Sequence, residues 1–142
     1  MEIGRSEIED LIPHAGAMVL LDTVVSWDAS QITCRAVSHR NTDHPLAVGG
    51  ALPTLCGLEY AAQAMALHGR LSGAVGTRPR KGYVASVRNL VWHTERLDTL
   101  LSPLLIEAEL IAQDGGAVIY RFAVTAEGVE VLTGRATVLL EG

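Results

Sequence analysis

HPLAVGGALPTLCGLEYAAQ, His44 to Gln63, is the stretch that decides how this chain reads. His44 stands in a loop whose glycines and prolines are there for backbone geometry. Pro53 then opens an Ala-rich helix predicted over residues 54–68, with Leu55, Leu58, Ala62 and Met65 at helical spacing and Gly69 as its stop. Glu59 falls about one turn into that helix, and Gln63 follows one turn later on the same face. A helix N-terminus presents free N–H groups and a partial positive charge. Here it does so beside a histidine and a carboxylate, the parts for general acid–base work on a substrate that develops negative charge. Ala61, Ala62, Ala64 and Ala66 put small side chains on several faces, so a sheet is expected to close around this helix and bury it, Glu59 included.

Upstream, Ser6 and Glu9 form a capping-box pattern for a short helix over residues 6–12. A strand is predicted at about Met18–Trp27. A second, Gln31–Ser38, alternates with Ile32, Cys34, Ala36 and Ser38 on one face. Asp28-Ala29-Ser30 is a turn between them, giving a hairpin. Downstream of a Gly/Arg/Pro loop at residues 70–82, Tyr83–Thr94, Leu104–Gln113, Ala117–Ala126 and Val129–Leu140 read as strands. Asp114-Gly115-Gly116 and Glu127-Gly128 are short joints, so the last three form an antiparallel meander. Two strands, one helix and about four more strands make an α+β arrangement of two layers. A curved antiparallel sheet wrapped around one central helix is the hotdog fold, here as a single domain over 1–142.

The 142 residues suffice for one domain with a real core, and 49% of them are hydrophobic. No apolar run is long enough to span a membrane. The acidic start, MEIGRSEIEDLIPH, lacks the apolar stretch of a signal peptide. Cys34 and Cys56 are too few for a disulfide framework, which fits a cytoplasmic protein. A net charge of −5 argues against nucleic acid as the main partner. The densest basic stretch, Arg78, Arg80 and Lys81 with Arg88 beyond it, is either a solvated loop or a dock for an acidic carrier protein. Cys34, His39 and His44 are evenly spaced but fit no zinc pattern, so neither metal nor other cofactor is expected. Cys56 lies where a thiol pKa can fall, yet cysteine is a common buried filler, the reading favoured here. His39, His68 and His93 have no partners suggested by sequence.

The loop histidine, the Pro/Gly turn and Glu59-Tyr60-Ala61-Ala62-Gln63 together resemble the 3-hydroxyacyl-acyl-carrier-protein dehydratases of the hotdog fold. So does Ile12-Pro13-His14-Ala15-Gly16-Ala17-Met18-Val19-Leu20-Leu21-Asp22, a Pro-His loop running into an apolar strand that ends in Asp. The resemblance covers nearly the whole chain, and the Gly-Leu-Glu-Tyr-Ala-Ala-Gln style is that of the dehydratases of aryl-polyene pigment clusters. It implies that His44 removes the α-proton of a thioester while Glu59, kept protonated by burial, gives a proton to the leaving hydroxyl. It also implies an acyl carrier protein as partner, and a homodimer or a heterodimer with a second dehydratase-like subunit, with His44 and Glu59 of one site on different chains. Pro53, Thr54, Gly57, Gln63 and His14 fall beside the substrate, the N–H groups of Thr54–Gly57 polarising the thioester carbonyl and His14 bracing the loop. Two departures stand out: the His44–Glu59 spacing is one longer than in the fatty-acid enzymes, and Thr54 replaces a glycine, which bears on chain-length preference. A hotdog thioesterase, which needs the helix carboxylate but not His44, and a catalytically silent partner subunit are the competing readings.

Overall fold

Alternation of apolar residues builds the sheet, and the sheet builds the core. In β3 (Gln31–Ala36), Ile32, Cys34 and Ala36 are buried. In β5 (Leu104–Asp114), Leu104, Ile106 and Ala108 are. Val118, Tyr120, Phe122 and Val124 of β6 (Ala117–Ala126) complete the same inner surface. The structure is a computed structural model and describes residues 2–12, 14, 16–73 and 82–140. With β1 (Ile3–Gly4), β2 (Thr23–Trp27), β4 (Gly82–Trp92) and β7 (Val129–Leu140), these strands form one antiparallel sheet in the order β1-β2-β3-β5-β6-β7-β4. The meander β5-β6-β7 is present as its Gly-containing joints predict. Asp28 Oδ1 accepts the N–H groups of Ser30 and Gln31, closing the β2–β3 turn.

Helix α2 (Gly57–Ser72) lies against the inner face, on β3, β5 and β6. Tyr60, Ala61, Ala64 and Leu67 are fully buried on its docking side. The helix begins and ends later than its sequence signals. A tighter 3₁₀ turn, Thr54–Cys56, takes its first residues. Gly69 continues the helix in the interior, and Gly73, at φ 73°, supplies the left-handed C-cap. Two other expectations change. The short N-terminal helix α1 (Arg5–Leu11) starts one residue early, so Ser6 lies inside it and caps nothing; Gly4 is the N-cap without a side-chain bond. The strand expected from Met18 begins only at Thr23, because Gly16–Met18 forms a 3₁₀ turn and Val19–Leu21 are buried as irregular chain.

Two glycines mark close approach. A Cβ on Gly134 of β7 would lie 2.7 Å from the Phe122 ring, and one on Gly57 would lie 2.8 Å from Leu132 Cδ2. Leu132 is itself fully buried and has no solvent to retreat into. A helix gains about 1 kcal/mol from Gly→Ala, whereas overpacking a core costs about 1–3 kcal/mol. Gly57→Ala is therefore expected to lower stability by up to about 2 kcal/mol net, read as a lower urea midpoint at unchanged slope. An unchanged midpoint would show that β7 yields freely to the helix start.

Candidate active site

The loop before α2 is tied at both ends. Gly49 and Gly50 adopt φ of 60° and 81°, and Val48 and Ala51 exchange both backbone bonds across them. Only glycine takes two successive left-handed residues without strain. Leu97 N–H then donates to Leu52 O (2.8 Å), Leu52 N–H to Asp98 Oδ1 (2.9 Å) and Thr54 N–H to Glu95 O (3.0 Å). Arg96 beside Asp98 holds that carboxyl well below the usual range. Residues 93–98 thus form a clamp that fixes where α2 starts.

This clamp alters the expected carbonyl-binding donors. Thr54 N–H is taken by Glu95, Cys56 N–H by Pro53 O, and Gly57 N–H closes the 3₁₀ turn on Thr54 O. Among the described residues the buried Thr54 hydroxyl has no hydrogen-bond partner. Pro53 is exposed and is the N-cap of the turn.

His44 is 5% exposed and sits in a chain of hydrogen bonds. Leu46 N–H donates to its Nδ1 at 3.0 Å, which leaves the ring proton of the neutral imidazole on Nε2. Nε2–H therefore donates to Tyr60 Oη (2.9 Å), Tyr60 O–H to Ser38 Oγ (2.8 Å), and Ser38 O–H to the Leu20 carbonyl (2.7 Å). Burial pushes the His44 pKa below the ordinary histidine value, with nearby His39 adding repulsion and Asp43 partly offsetting it. Burial likewise pushes the Tyr60 hydroxyl up to about 12, so it stays protonated.

Glu59 is not where burial of the helix led one to expect. Its side chain is 40% exposed, with Oε1 3.5 Å from Nε2 of His14. Both line a cavity of about 690 Å³. Its floor is the small-residue stripe Ala62, Ala66 and Gly69 of α2, and Val118, Tyr120 and Val138 form its sheet wall. From Glu59 to Gly69 the helix rises about 15 Å, which sets the depth available to a chain lying along it. His44 is not part of this cavity, and no hydrogen bond or ion pair joins it to Glu59 among the described residues. Tyr60 and Glu59 are successive on the helix, about 100° apart around its axis. One turns to His44 and the other to the cavity.

Gln63 is fully buried with both amide ends engaged: Leu20 N–H donates to Oε1 (2.9 Å), and Nε2 donates to Met18 O (2.7 Å). It holds the β2 lead-in and does not line the cavity. Cys56 has its thiol pKa raised by burial and by Glu59, which removes the case for a nucleophile. Arg88 is exposed on β4, while Arg78, Arg80 and Lys81 lie outside the described residues. Sequence reasoning missed Tyr60 as the partner of His44 and Ser38 as the next link; Ser38, expected as the end of a strand, lies beyond β3 at the start of a 3₁₀ turn, Ser38–Arg40, and is buried there. Sequence reasoning also missed His68, whose Nε2–H donates to Asp28 O (2.9 Å) and whose Nδ1 accepts the Tyr120 hydroxyl (2.7 Å). His39, another histidine taken as ordinary, is buried with Nε2 on Leu100 O at 3.0 Å.

A curved antiparallel sheet around one long helix, with an acidic residue in that helix's first turn beside an apolar cavity, defines a hotdog-fold protein. The chain belongs to the ApeP-like family, described as ApeP dehydratase, which its residues 6–141 match; by family it is a dehydratase, a lyase. No curated protein matches it by sequence. Among solved structures it is similar to the dehydratase heterocomplex ApeI:P from Xenorhabdus doucetiae, at TM-score 0.82 and 22% identity over 95% of this chain and 91% of that one. It also resembles the PaaI protein of the Escherichia coli phenylacetic acid degradation operon (TM-score 0.66, 10% identity, 94% and 88% covered). A hypothetical thioesterase with coenzyme A from Streptococcus pneumoniae is similar too (TM-score 0.61, 14% identity, 84% of each chain). At these identities the structural likenesses establish the fold.

His39, His44 and His68 all have their pKa lowered chiefly by burial. Below about pH 6.5 the unfolded chain binds these protons before the folded one does, so stability rises with pH and falls as pH drops through 6.5. Each histidine contributes a slope of at most about 1.4 kcal/mol per pH unit. Urea unfolding between pH 7.5 and 5 checks this; flat stability across that window would mean the three are not held neutral. Tyr60→Phe strands the buried Nε2–H of His44 and is expected to cost about 1–3 kcal/mol, measured the same way at pH 7.5.

Proposed function

We propose that the chain removes water from a 3-hydroxyacyl thioester carried on an acyl carrier protein, giving the trans-2-enoyl thioester, in the making of a fatty or polyene chain. The observation that carries this reading is the Glu59 carboxylate at one end of an apolar cavity that follows α2. The acyl chain lies along Ala62, Ala66 and Gly69, and the thioester end stays near Glu59 and His14. In the reaction a histidine nitrogen takes the C2 proton, the C2–C3 double bond forms, and the C3–O bond breaks. The hydroxyl leaves as water with the proton that Glu59, entering the step as the carboxylic acid, supplies. Positioned acid and base groups typically contribute about 10²–10⁴-fold each.

In this reading His44 and Glu59 of one site come from two chains. Support comes from their separation within a single chain, and from the sheet edge. Among the described residues, eleven-residue β4 is paired on one side only, with β7. Tyr83, Val91 and Trp92 on it are 55%, 45% and 49% exposed. A long open edge with exposed apolar side chains is a template for another strand, and two-fold pairs are the commonest assembly. The occupant is a second copy or, as in the heterocomplex of the similar ApeI:P structure, a second dehydratase-like subunit. Arg78, Arg80 and Lys81 steer the acidic carrier.

One observation favours a second reading. Both ring nitrogens of His44 are engaged within its own chain, so Nδ1 must release Leu46 N–H before it can act as a base. A subunit in which that never happens is catalytically silent and lends only Glu59 and the cavity to its partner.

Mass spectrometry of carrier-bound 3-hydroxyacyl substrate after incubation tests the reaction. Loss of water supports dehydration; free acid identifies a thioesterase instead. His44→Ala and Glu59→Gln alone are each expected to abolish turnover. Co-refolded as an equal mixture, they should recover about a quarter of wild-type activity at the same concentration, because half the pairs are mixed and each has one whole site. No recovery in a mixture that native mass spectrometry shows to contain mixed pairs would place each site within one chain, and full activity of His44→Ala alone would make the histidine structural.

A further inference from the structure

Three arginines stand side by side on the outer face of the sheet. Arg88 of β4 is in register with Arg135 of β7, and Arg135 with Arg121 of β6. All three are exposed. Register partners share a face, and their neighbours Val87, Ala136 and Gly134 turn to the other one. Arg121 has a carboxylate partner, Glu109 of β5, at 3.2 Å. Among the described residues no carboxylate pairs with Arg88 or Arg135. The two line a shallow depression with Asn89, Thr137 and Ile119. Asn89 adopts a left-handed φ of 56° at an irregularity that shifts the register between Arg88 and Val91.

Like charges directly opposite each other on neighbouring strands are destabilising. The chain does not lack carboxylates, having 16 Asp and Glu against 11 Lys and Arg. On the outer face Glu107 and Glu109 stand on β5, with Arg35 beyond them on β3 and Glu130 near the start of β7, while three arginines run in register from β6 to the open edge. The row ends at Arg88, one residue from the middle of β4.

We infer that this row selects the strand that pairs with β4: it favours a partner subunit presenting a carboxylate beside Arg88, and it disfavours a second copy of this chain. The inference rests on the edge pairing proposed above and not on the dehydration chemistry. Full-length antiparallel pairing of two copies about Val87 sets Arg88 opposite the partner's Ser86. The two Arg88 side chains then become diagonal neighbours, about 7–8 Å apart, and three arginines per chain join in one unbroken band. A carboxylate at that place in a different subunit converts the same geometry from repulsion to attraction, which is how charge specifies a partner. An acidic carrier protein is the other conceivable occupant. The row's direction, across the strands and out to an edge flanked by exposed Tyr83, Val91 and Trp92, favours a strand.

The test uses this chain alone. Arg88→Glu, carrying a mass tag, stands in for the carboxylate-bearing partner and is mixed with wild type; native mass spectrometry counts the pairs. At low salt the mixed pair is expected to reach about three-quarters of all dimers, against the statistical half, through the charge term. In 0.5 M salt, where the Debye length falls below about 5 Å, it should return to half. Arg88→Gln, which keeps size and drops charge, relieves the repulsion without adding attraction, so it should mix above the statistical half but below Arg88→Glu and self-associate more tightly than wild type. Statistical mixing at low salt with dimers intact overturns the charge selection and leaves the edge pairing standing. Statistical mixing together with weakened binding of an acidic acyl carrier protein by Arg88→Glu overturns it in favour of carrier docking. Monomers in every mixture overturn the edge pairing as well.

Discussion

A polar group shut away from water must find a partner, and α2 carries three such residues on its docking face. Tyr60, Gln63 and His68 are each fully buried. Each is satisfied by a different part of the chain: Tyr60 by Ser38 and His44, Gln63 by Met18 and Leu20, His68 by Tyr120 and Asp28. Leaving one such group unpaired costs about 1–3 kcal/mol, so the three together fix the helix along its axis as well as about it. They also fix the loops. The irregular segment before β2, the end of β3 and the His44 loop are held against one helix, which is why a loop histidine is found at a defined place.

The layers of the fold could be read from the sequence because their causes are local. Period-two burial in Ile32, Cys34 and Ala36 and in Val118 to Val124 survives into the structure, and so do the Asp28 turn and the short joints of the meander. The ends of elements could not be read, because their causes are tertiary. Gly69 has the look of a helix stop, but Tyr120 and Asp28 hold His68 in the turn before it, and the helix runs on to Gly73. The capping box at Ser6 and Glu9 is real as a pattern. Pairing of Ile3 and Gly4 with β2 starts the helix one residue too early for Ser6 to act as its cap.

For the candidate site the division is the same. His44, Glu59 and the helix between them follow from residue types and spacing. The partner of His44 does not, since nothing local distinguishes Tyr60 from an aromatic that packs in the core. The exposure of Glu59 also escaped the pattern. Alanines on several faces suggested a helix enclosed all round, but Ala61 and Ala64 meet the sheet whereas Ala62 and Ala66 face a cavity. Small side chains permit close approach, and equally they leave room when nothing approaches.

That room has a consequence for how assembly and substrate space are linked. The helix packs on β3, β5 and β6, so the inner sides of β7 and β4 are left facing its stripe of small residues across the cavity. Tyr83 and Val84, which form part of the cavity wall, belong to the same strand that ends the sheet, and so does Arg88 on the opposite face. Any strand that pairs with β4 acts on the cavity through that wall, because among the described residues β4 is anchored on one side only. If the site is divided between chains as proposed, it is incomplete until β4 is paired, and the pairing that completes it would also set the width of the space along α2. On the proposed function, the choice of partner at the edge and the acyl group taken into the cavity would then be two readings of the position of a single strand.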